Sequence, residues 1–510
     1  MKNKMSLINK LTGLLFCLFI FSCNPSKEKH DDQPNIIFIF ADDMTYSAIN
    51  ALGNKEIITP NLNWLVENGT TFTHTYNMGA WNGAVCMASR AMIISGQSVW
   101  NAKAITDDWE QNKALKQTWG ALMDKAGYDT YMTGKWHVAA PANQVFKNVI
   151  HVRPGMPGDA WEHHTMVANF KSIEGTSEDP SKFIPVGYNR PLSENDTTWS
   201  PTDHKFGGYW EGGKHWSEVL KNDALKFLDK AETSENPFFM YLAFNAPHDP
   251  RQAPQEYLDR YPVDSISLPK SWLEEYPFNK GMGSGRDMRD EALAPFPRTA
   301  YATKKNIQEY YALITHLDHQ IGLILEKLKA SGKMENTYLF FTADHGLAMG
   351  RHGLFGKQNL FDHSIRAPFI ISGPDVPKNK KIDLDIYLQD IMPTSLNLAG
   401  IEKPDYVFFN DLLPLVKGNQ LKSTYNAIYG AYVDTQRMIR KDGFKLLVYP
   451  KIDTVLLFDL KEDPEEMNNL SEDPVYREKT ITLFKDLISL QEEMHDNLSL
   501  SATYENYIGQ

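Results

Sequence analysis

The chain has 510 residues, 42% of them hydrophobic, and a formal net charge of -12, enough for a sizeable core and more than one typical domain. No Lys/Arg-rich run stands out, which argues against a duplex nucleic-acid binder, since such proteins need a basic face. Of the three cysteines, Cys17 and Cys23 fall in the first two dozen residues, so Cys86 stands alone in the body and disulfides do not hold the fold.

At the N-terminus, Lys2, Lys4 and Lys10 precede or flank an apolar run, Leu11 to Phe21, that is of signal-peptide length and too short for a comfortable membrane span. It ends in Ile20-Phe21-Ser22-Cys23, which resembles a bacterial lipoprotein cleavage box with Cys23 as the lipidated residue; an ordinary signal peptide cut nearby is the alternative. Residues 1–23 are therefore read as a signal peptide and 24–33 as a hydrophilic tether. The mature chain is expected outside the cytoplasm, periplasmic or at the outer membrane or cell surface, held by a lipid anchor in a bacterial membrane.

NIIFIFADD (35–43) is a continuous apolar strand ending in two aspartates, the pattern of a strand buried on both faces. TPNLNWLVENGTTF (59–72) reads as a helix with Thr59 as its cap and Pro60 at the first helical position. QTWGALMDKAGYDTYMTGKWH (117–137) gives a helix, a glycine stop and a strand arriving at Lys135. A helix over 212–233 feeds the strand PFFMYLAF (237–244), and a long amphipathic helix over 301–332 feeds NTYLFFTADHG (336–346). This alternation predicts an α/β fold with a large, mostly parallel sheet flanked by helices. The Pro-, Gly- and Asp-rich stretches 141–205 and 251–300 read as insertions around a site rather than as sheet elements. After about 415 come four short strands, AIYGAYVD, QRMIRKDG, KLLVYPK and TVLLFDLKEDP, then a helix over 476–498. The expected division is a main α/β domain over 34–414 and a smaller, antiparallel α+β domain over 415–510.

Polar residues gather where apolar strands end, the edge at which open α/β sheets bind ligands. Asp42 and Asp43 repel one another unless a cation or strong donors compensate. Asp344 and His345 follow an equally apolar strand. Three carboxylates from two strand ends suit a hard divalent cation, calcium or magnesium, better than zinc. Lys135 and His137, two apart, are expected on one strand face serving one pocket. His248 ends the strand 237–244, and Lys357 in GRHGLFGKQNLF is a further candidate cation.

The segment GAVCMASRAMIISGQ (83–97) resembles the signature of the type I sulfatases, in which cysteine or serine heads a C-x-(P/A)-S-R sequence and a glycine follows. IIFIFADDM, GKWH, APHDP, FTADHG, the later GK and LFDLKEDPEEMNNL match that family's order from about residue 33 to 490. Ala88 stands where proline is commoner, and His345 where much of the family has Asn or Gln. The resemblance implies that Cys86 is oxidised by a maturase to formylglycine, whose hydrate attacks sulfur. It also implies one calcium per chain, held by Asp42, Asp43, Asp344 and His345 with the modified Cys86. Arg90 is expected to orient the formylglycine, and Lys135, His248 and Lys357 to bind sulfate. His248 or Lys357 would protonate the leaving oxygen, and His137 would act as the base.

The expected reaction is hydrolysis of a sulfuric ester on a sulfated glycan or monosaccharide, exo-acting on a galactose or N-acetylgalactosamine type unit. Trp81, Trp100, Trp109, Trp161, Trp210 and Trp216 are candidates for stacking on sugar. A phosphoesterase or phosphonate monoester hydrolase of the same superfamily is the alternative. A sugar-binding protein with a dead site would lack a metal carboxylate or the arginine, and Asp42, Asp43, Asp344 and Arg90 are all present.

Overall fold

Strand β1 (Asn35–Ala41) is buried along its whole length and sits at the middle of an eight-stranded sheet. In a computed structural model, the residues described are 33–155, 168–169, 171–173, 176–178, 193–197, 199–204 and 210–509. The signal peptide, all but the end of the tether, Cys17, Cys23, Trp161 and much of the 141–205 stretch lie outside them. Among the described residues no helix is long and apolar enough to cross a membrane.

The other strands are β2 (Thr70–Tyr76), β3 (Gly79–Ala80), β4 (Asp129–Lys135), β5 (Asn148–Arg153), β6 (Trp210–Glu211), β7 (Lys214–His215), β8 (Phe238–Ala243), β9 (Thr337–Ala343), β10 (Phe369–Ser372), β11 (Lys380–Tyr387), β12 (Ile428–Tyr432), β13 (Gln436–Lys441), β14 (Phe444–Tyr449) and β15 (Thr454–Asp459). The large sheet runs β11-β2-β10-β9-β1-β8-β4-β5. It is parallel except where β10 pairs with β9 and β2. Ile36, Ile37, Phe38, Ile39 and Phe40 are each 0% exposed, which by hydrophobic transfer is worth on the order of 10 kcal/mol for this one strand.

Parallel register decides where the chemistry falls. Ala41 pairs with Ala343, Phe40 with Ala243, and Gly134 with Ala243. The residues following β1, β8 and β9, and the last residue of β4, therefore emerge at one carboxyl edge. Gly134 is needed for that meeting: its φ is +94°, and a Cβ there would lie 1.9 Å from the Ala243 carbonyl oxygen.

The smaller sheet runs β15-β14-β13-β12-β3, antiparallel except for the β12–β3 pair. Helix Arg477–Glu493 packs against β13. The edge strand of this sheet, β3, lies in the chain between β2 of the large sheet and the Cys86 helix.

Two expectations are corrected. The 141–205 stretch contains β5, the edge strand of the large sheet, and so is not wholly an insertion. Thr59 makes no side-chain cap on helix Pro60–Glu67; the Asp318 carboxylate accepts from the Asn61 and Leu62 amides at 3.2 and 2.7 Å instead.

Candidate active site

Cys86 is the second residue of helix Val85–Ser95, a helix buried on nearly every side that ends at Gly96 in the left-handed conformation. A free first turn carries unpaired amide hydrogens and the positive end of the helix dipole, which favour negative charge near Cys86. Ser89 and Arg90 lie three and four residues on, so they share the face of Cys86.

Arg90 is completely buried and ties the strand ends together. Its Nε is 3.2 Å from Asp344 Oδ2, its NH1 donates to the Lys135 carbonyl at 2.8 Å, and its NH2 is 3.6 Å from Asp42 Oδ1. Phe40 underlies the guanidinium at 4.6 Å. Burial opposes its charge, but the Asp344 and Asp42 carboxylates hold the guanidinium protonated beyond its ordinary range. Ser89 Oγ donates to the Asp344 carbonyl at 2.7 Å.

Around the Cys86 sulfur, His345 Nε2 and Lys357 Nζ each lie at 3.2 Å and Asp43 Oδ1 at 3.8 Å. Lys357 also reaches both Asp43 oxygens, at 2.7 and 3.0 Å, and Lys135 pairs with Asp42. His345 Nε2 is 3.5 Å from Asp43 and 3.6 Å from Asp344. His248 Nε2 is 3.7 Å from Asp43 Oδ2, and its Nδ1 meets the Asp249 carbonyl at 2.7 Å. Nδ1 therefore carries the hydrogen, leaving Nε2 as an acceptor when the ring is neutral.

Asp43, Asp344, Cys86, His248, His137 and Lys357 titrate far from their ordinary ranges. Burial pushes the Asp43 carboxyl up to about 6 against the pull of Lys357 and His345. Burial also acts on Asp344, but the neighbouring His345, Arg90 and Lys135 hold its carboxyl well below the carboxylate range. Burial, reinforced by Asp42, pushes the Cys86 thiol well up, so the thiol is no thiolate nucleophile. Burial and the nearby lysines keep His248 neutral, and burial with Lys135 and Arg90 takes His137 down to about 3. Burial works against the Lys357 charge, yet Asp43 keeps its ammonium protonated well above the usual range.

The donor set fits a divalent cation. Oxygens or ring nitrogens of Asp42, Asp344 and His345 converge with the Cys86 sulfur, and those of Asp43 and His248 form an overlapping group about the same atom. Asp42 Oδ1 is buried with no hydrogen-bond partner among the described residues, a lone pair that a cation would satisfy.

Asp42, Asp43, Cys86, Arg90, Lys135, His248, Asp344, His345 and Lys357 thus lie together at one strand edge. β4 stops at Lys135, and His137 follows in a turn with φ +53° rather than on the same strand face, near enough for the charges of Arg90 and Lys357 to act on its ring. Its Nδ1 is buried without a hydrogen-bond partner among the described residues. Among the tryptophans, Trp109 is core at 1% exposure and is no sugar platform. Trp100 donates to Tyr429, and Trp216 lies under Arg153 at 4.1 Å. Sequence reasoning missed Tyr310, whose hydroxyl donates to the Asp43 carbonyl at 2.7 Å. It gave no role to Asp249 of the APHDP motif and missed Arg289 and Asp290, which lie beside His248 and Lys357. The only signal for the last two is the charged run RDMRDE within the aperiodic 251–300 stretch.

A buried donor set that fits a cation at the strand ends of such a sheet, beside a helix carrying a buried cysteine and an arginine that clamps two of the carboxylates, suits an ester hydrolase. The Sulfatase family model matches residues 34–401, and a model described as N-sulphoglucosamine sulphohydrolase, C-terminal, matches 350–493. The chain belongs to the sulfatase family, in its type I, formylglycine-dependent class. It is 31% identical to an arylsulfatase of Clostridium perfringens, over 89% of this chain and 94% of that one. A solved structure in complex with its substrate D-glucosamine-2-N,6-O-disulfate is similar at TM-score 0.68 and 23% identity, covering 91% of this chain and 99% of that one. A phosphonate monoester hydrolase from Silicibacter pomeroyi has the same fold at TM-score 0.68 and 19% identity, covering 91% and 96%.

Proposed function

We propose that Cys86, oxidised by a maturase to formylglycine, serves an exo-acting carbohydrate sulfatase that holds one calcium and is exported as a lipoprotein anchored through Cys23. The observation that carries this reading is the convergence of Asp43, His345 and Lys357 on the Cys86 sulfur, between two lysine–aspartate pairs. Asp42, Asp43, Asp344 and His345 would hold the calcium, which supplies positive charge for the nonbridging sulfate oxygens. Hydrated formylglycine supplies two oxygens on one carbon, one to attack sulfur and one to release it afterwards.

The chain's own groups do the rest. Lys357 keeps its charge through its pairing with Asp43, and Lys135 is paired with Asp42, in a water-poor site where an oriented cation is worth far more than in solution. Lys357 Nζ is our choice for the proton given to the leaving sugar oxygen, because His248 is neutral with its only hydrogen turned to Asp249. His137 is our choice for the base, being neutral with an open ring nitrogen. Arg90 holds Asp42 and Asp344 in place.

For the sugar, the sequence favours a galactose or N-acetylgalactosamine unit, and the glucosamine disulfate bound by the solved relative adds a glucosamine unit. The test is sulfate release, read by ion chromatography, from mono-sulfated forms of these sugars and matched polymers, with aryl sulfate, phosphate and phosphonate esters alongside. Sulfate release from a terminal sugar supports the proposal. Faster turnover of the phosphonate would favour the alternative hydrolase, and release only from internal positions of a polymer would overturn exo action.

A further inference from the structure

The backbone that carries Lys357 is held by a fully buried ion pair outside the catalytic cluster. Glu291 and Arg298 are each completely enclosed, and Arg298 NH2 donates to Glu291 Oε2 at 2.5 Å. Burying two charges is costly unless every remaining lone pair and hydrogen is used, and here they are spent on one short loop. Glu291 Oε2 accepts from the Phe355 amide at 2.9 Å and Oε1 from the Gly356 amide at 2.8 Å, while Arg298 Nε donates to the Gly353 carbonyl at 2.9 Å. Arg298 NH1 donates to the Glu291 and Ala294 carbonyls, each at 2.7 Å, and its guanidinium lies 3.5 Å from the centre of the Phe296 ring.

Glycine at 356 permits this approach. A Cβ there would sit 3.0 Å from Glu291 Oε1, 2.8 Å from Asp290 Cβ and 2.5 Å from Gln358 Oε1. Gln358 Nε2 in turn donates to Asp290 Oδ2 at 2.7 Å, so neighbouring carboxylates of one segment grip both sides of Lys357.

We infer that Glu291, paired with Arg298, is a positioning residue that fixes the Lys357 ammonium against the Cys86 side chain. The inference rests on the catalytic role proposed for Lys357. Glutamine at 291 turns an amide donor toward a backbone donor and leaves Arg298 without its anion. Alanine at 356 displaces the same clamp without removing charge.

The test is a double-mutant cycle of Glu291→Gln with Lys357→Met, repeated with Gly356→Ala, on matured enzyme and a series of aryl sulfates. Hydrogen exchange of the peptide spanning 353–357 is read in parallel. We expect faster exchange in that peptide and a kcat fall on the order of tenfold to a hundredfold. KM should stay within about twofold, and the loss should be steepest for the poorest leaving groups. In the Lys357→Met background the Glu291→Gln change should cost nothing further. An equal loss in both backgrounds would overturn the positioning role while leaving Lys357 catalytic. Full activity of Lys357→Met alone would overturn both that role and the inference, and unchanged exchange in both clamp variants would overturn the clamp itself.

Discussion

Calcium binding should expel a proton in mildly acidic solution, and Asp43 should be its source. Burial pushes that carboxyl up to about 6, whereas the charges around Asp344 keep it ionised throughout. At pH 5 roughly nine in ten metal-free molecules then carry a protonated Asp43. A cation ligand must be the carboxylate, so the apparent affinity should be about tenfold weaker at pH 5 than at pH 7.5. The same raised value makes a stability statement. Relative to the unfolded carboxyl at 3.8, Asp43 favours the metal-free fold in acid, and that contribution, about 3 kcal/mol, is lost as the pH rises through 6. Calcium, by engaging the carboxylate, should remove most of this loss. The assay is calorimetric titration of chelator-stripped protein with calcium at both pH values, in buffers of different ionisation heat. About one proton should leave at pH 5 and almost none at pH 7.5, and Asp43→Asn should bind more weakly without the pH dependence. Equal affinity at both pH values with no proton released would refute the reasoning.

Asp344→Ala removes the carboxylate that Arg90 clamps, and should weaken calcium by more than the roughly 10–100-fold cost of losing an outer-shell partner. Elemental analysis of the unmodified-sequence protein should find one calcium per chain; full occupancy by zinc would reject the assignment. Asp318→Ala uncaps helix Pro60–Glu67 far from the cysteine and should cost about 1–2 kcal/mol in chemical denaturation, with kcat unchanged. A loss below a few tenths of a kcal/mol would mean that water replaces the carboxylate at the Asn61 and Leu62 amides.

The elements legible in the sequence are those whose burial is uniform. β1, β8 and β9 are buried throughout and mostly apolar, so their ends, and with them Asp42, Asp43, His248 and Asp344, could be placed directly. β2 reads TTFTHTY and β5 reads NVIHVR, with polar residues in positions that a run of apolar residues would have marked. The helix carrying Cys86 has ten of its eleven residues buried, so it shows no amphipathic period, and only the CMASR motif drew attention to it. Glu291 and Tyr310 escaped for a different reason. Their partners, Phe355 and Gly356 for one and Asp43 for the other, are backbone groups 64, 65 and 267 residues away in sequence, and a backbone acceptor or donor leaves no side-chain signature to match.

Mass spectrometry of the peptide carrying residue 86, taken from fractions of measured sulfate-releasing activity, tests the central assignment most directly. Conversion of the Cys86 thiol to an aldehyde predicts a peptide about 18 Da lighter than the cysteine form, or its hydrate, in proportion to activity across fractions. A fully active preparation in which Cys86 remains an unmodified cysteine would contradict it.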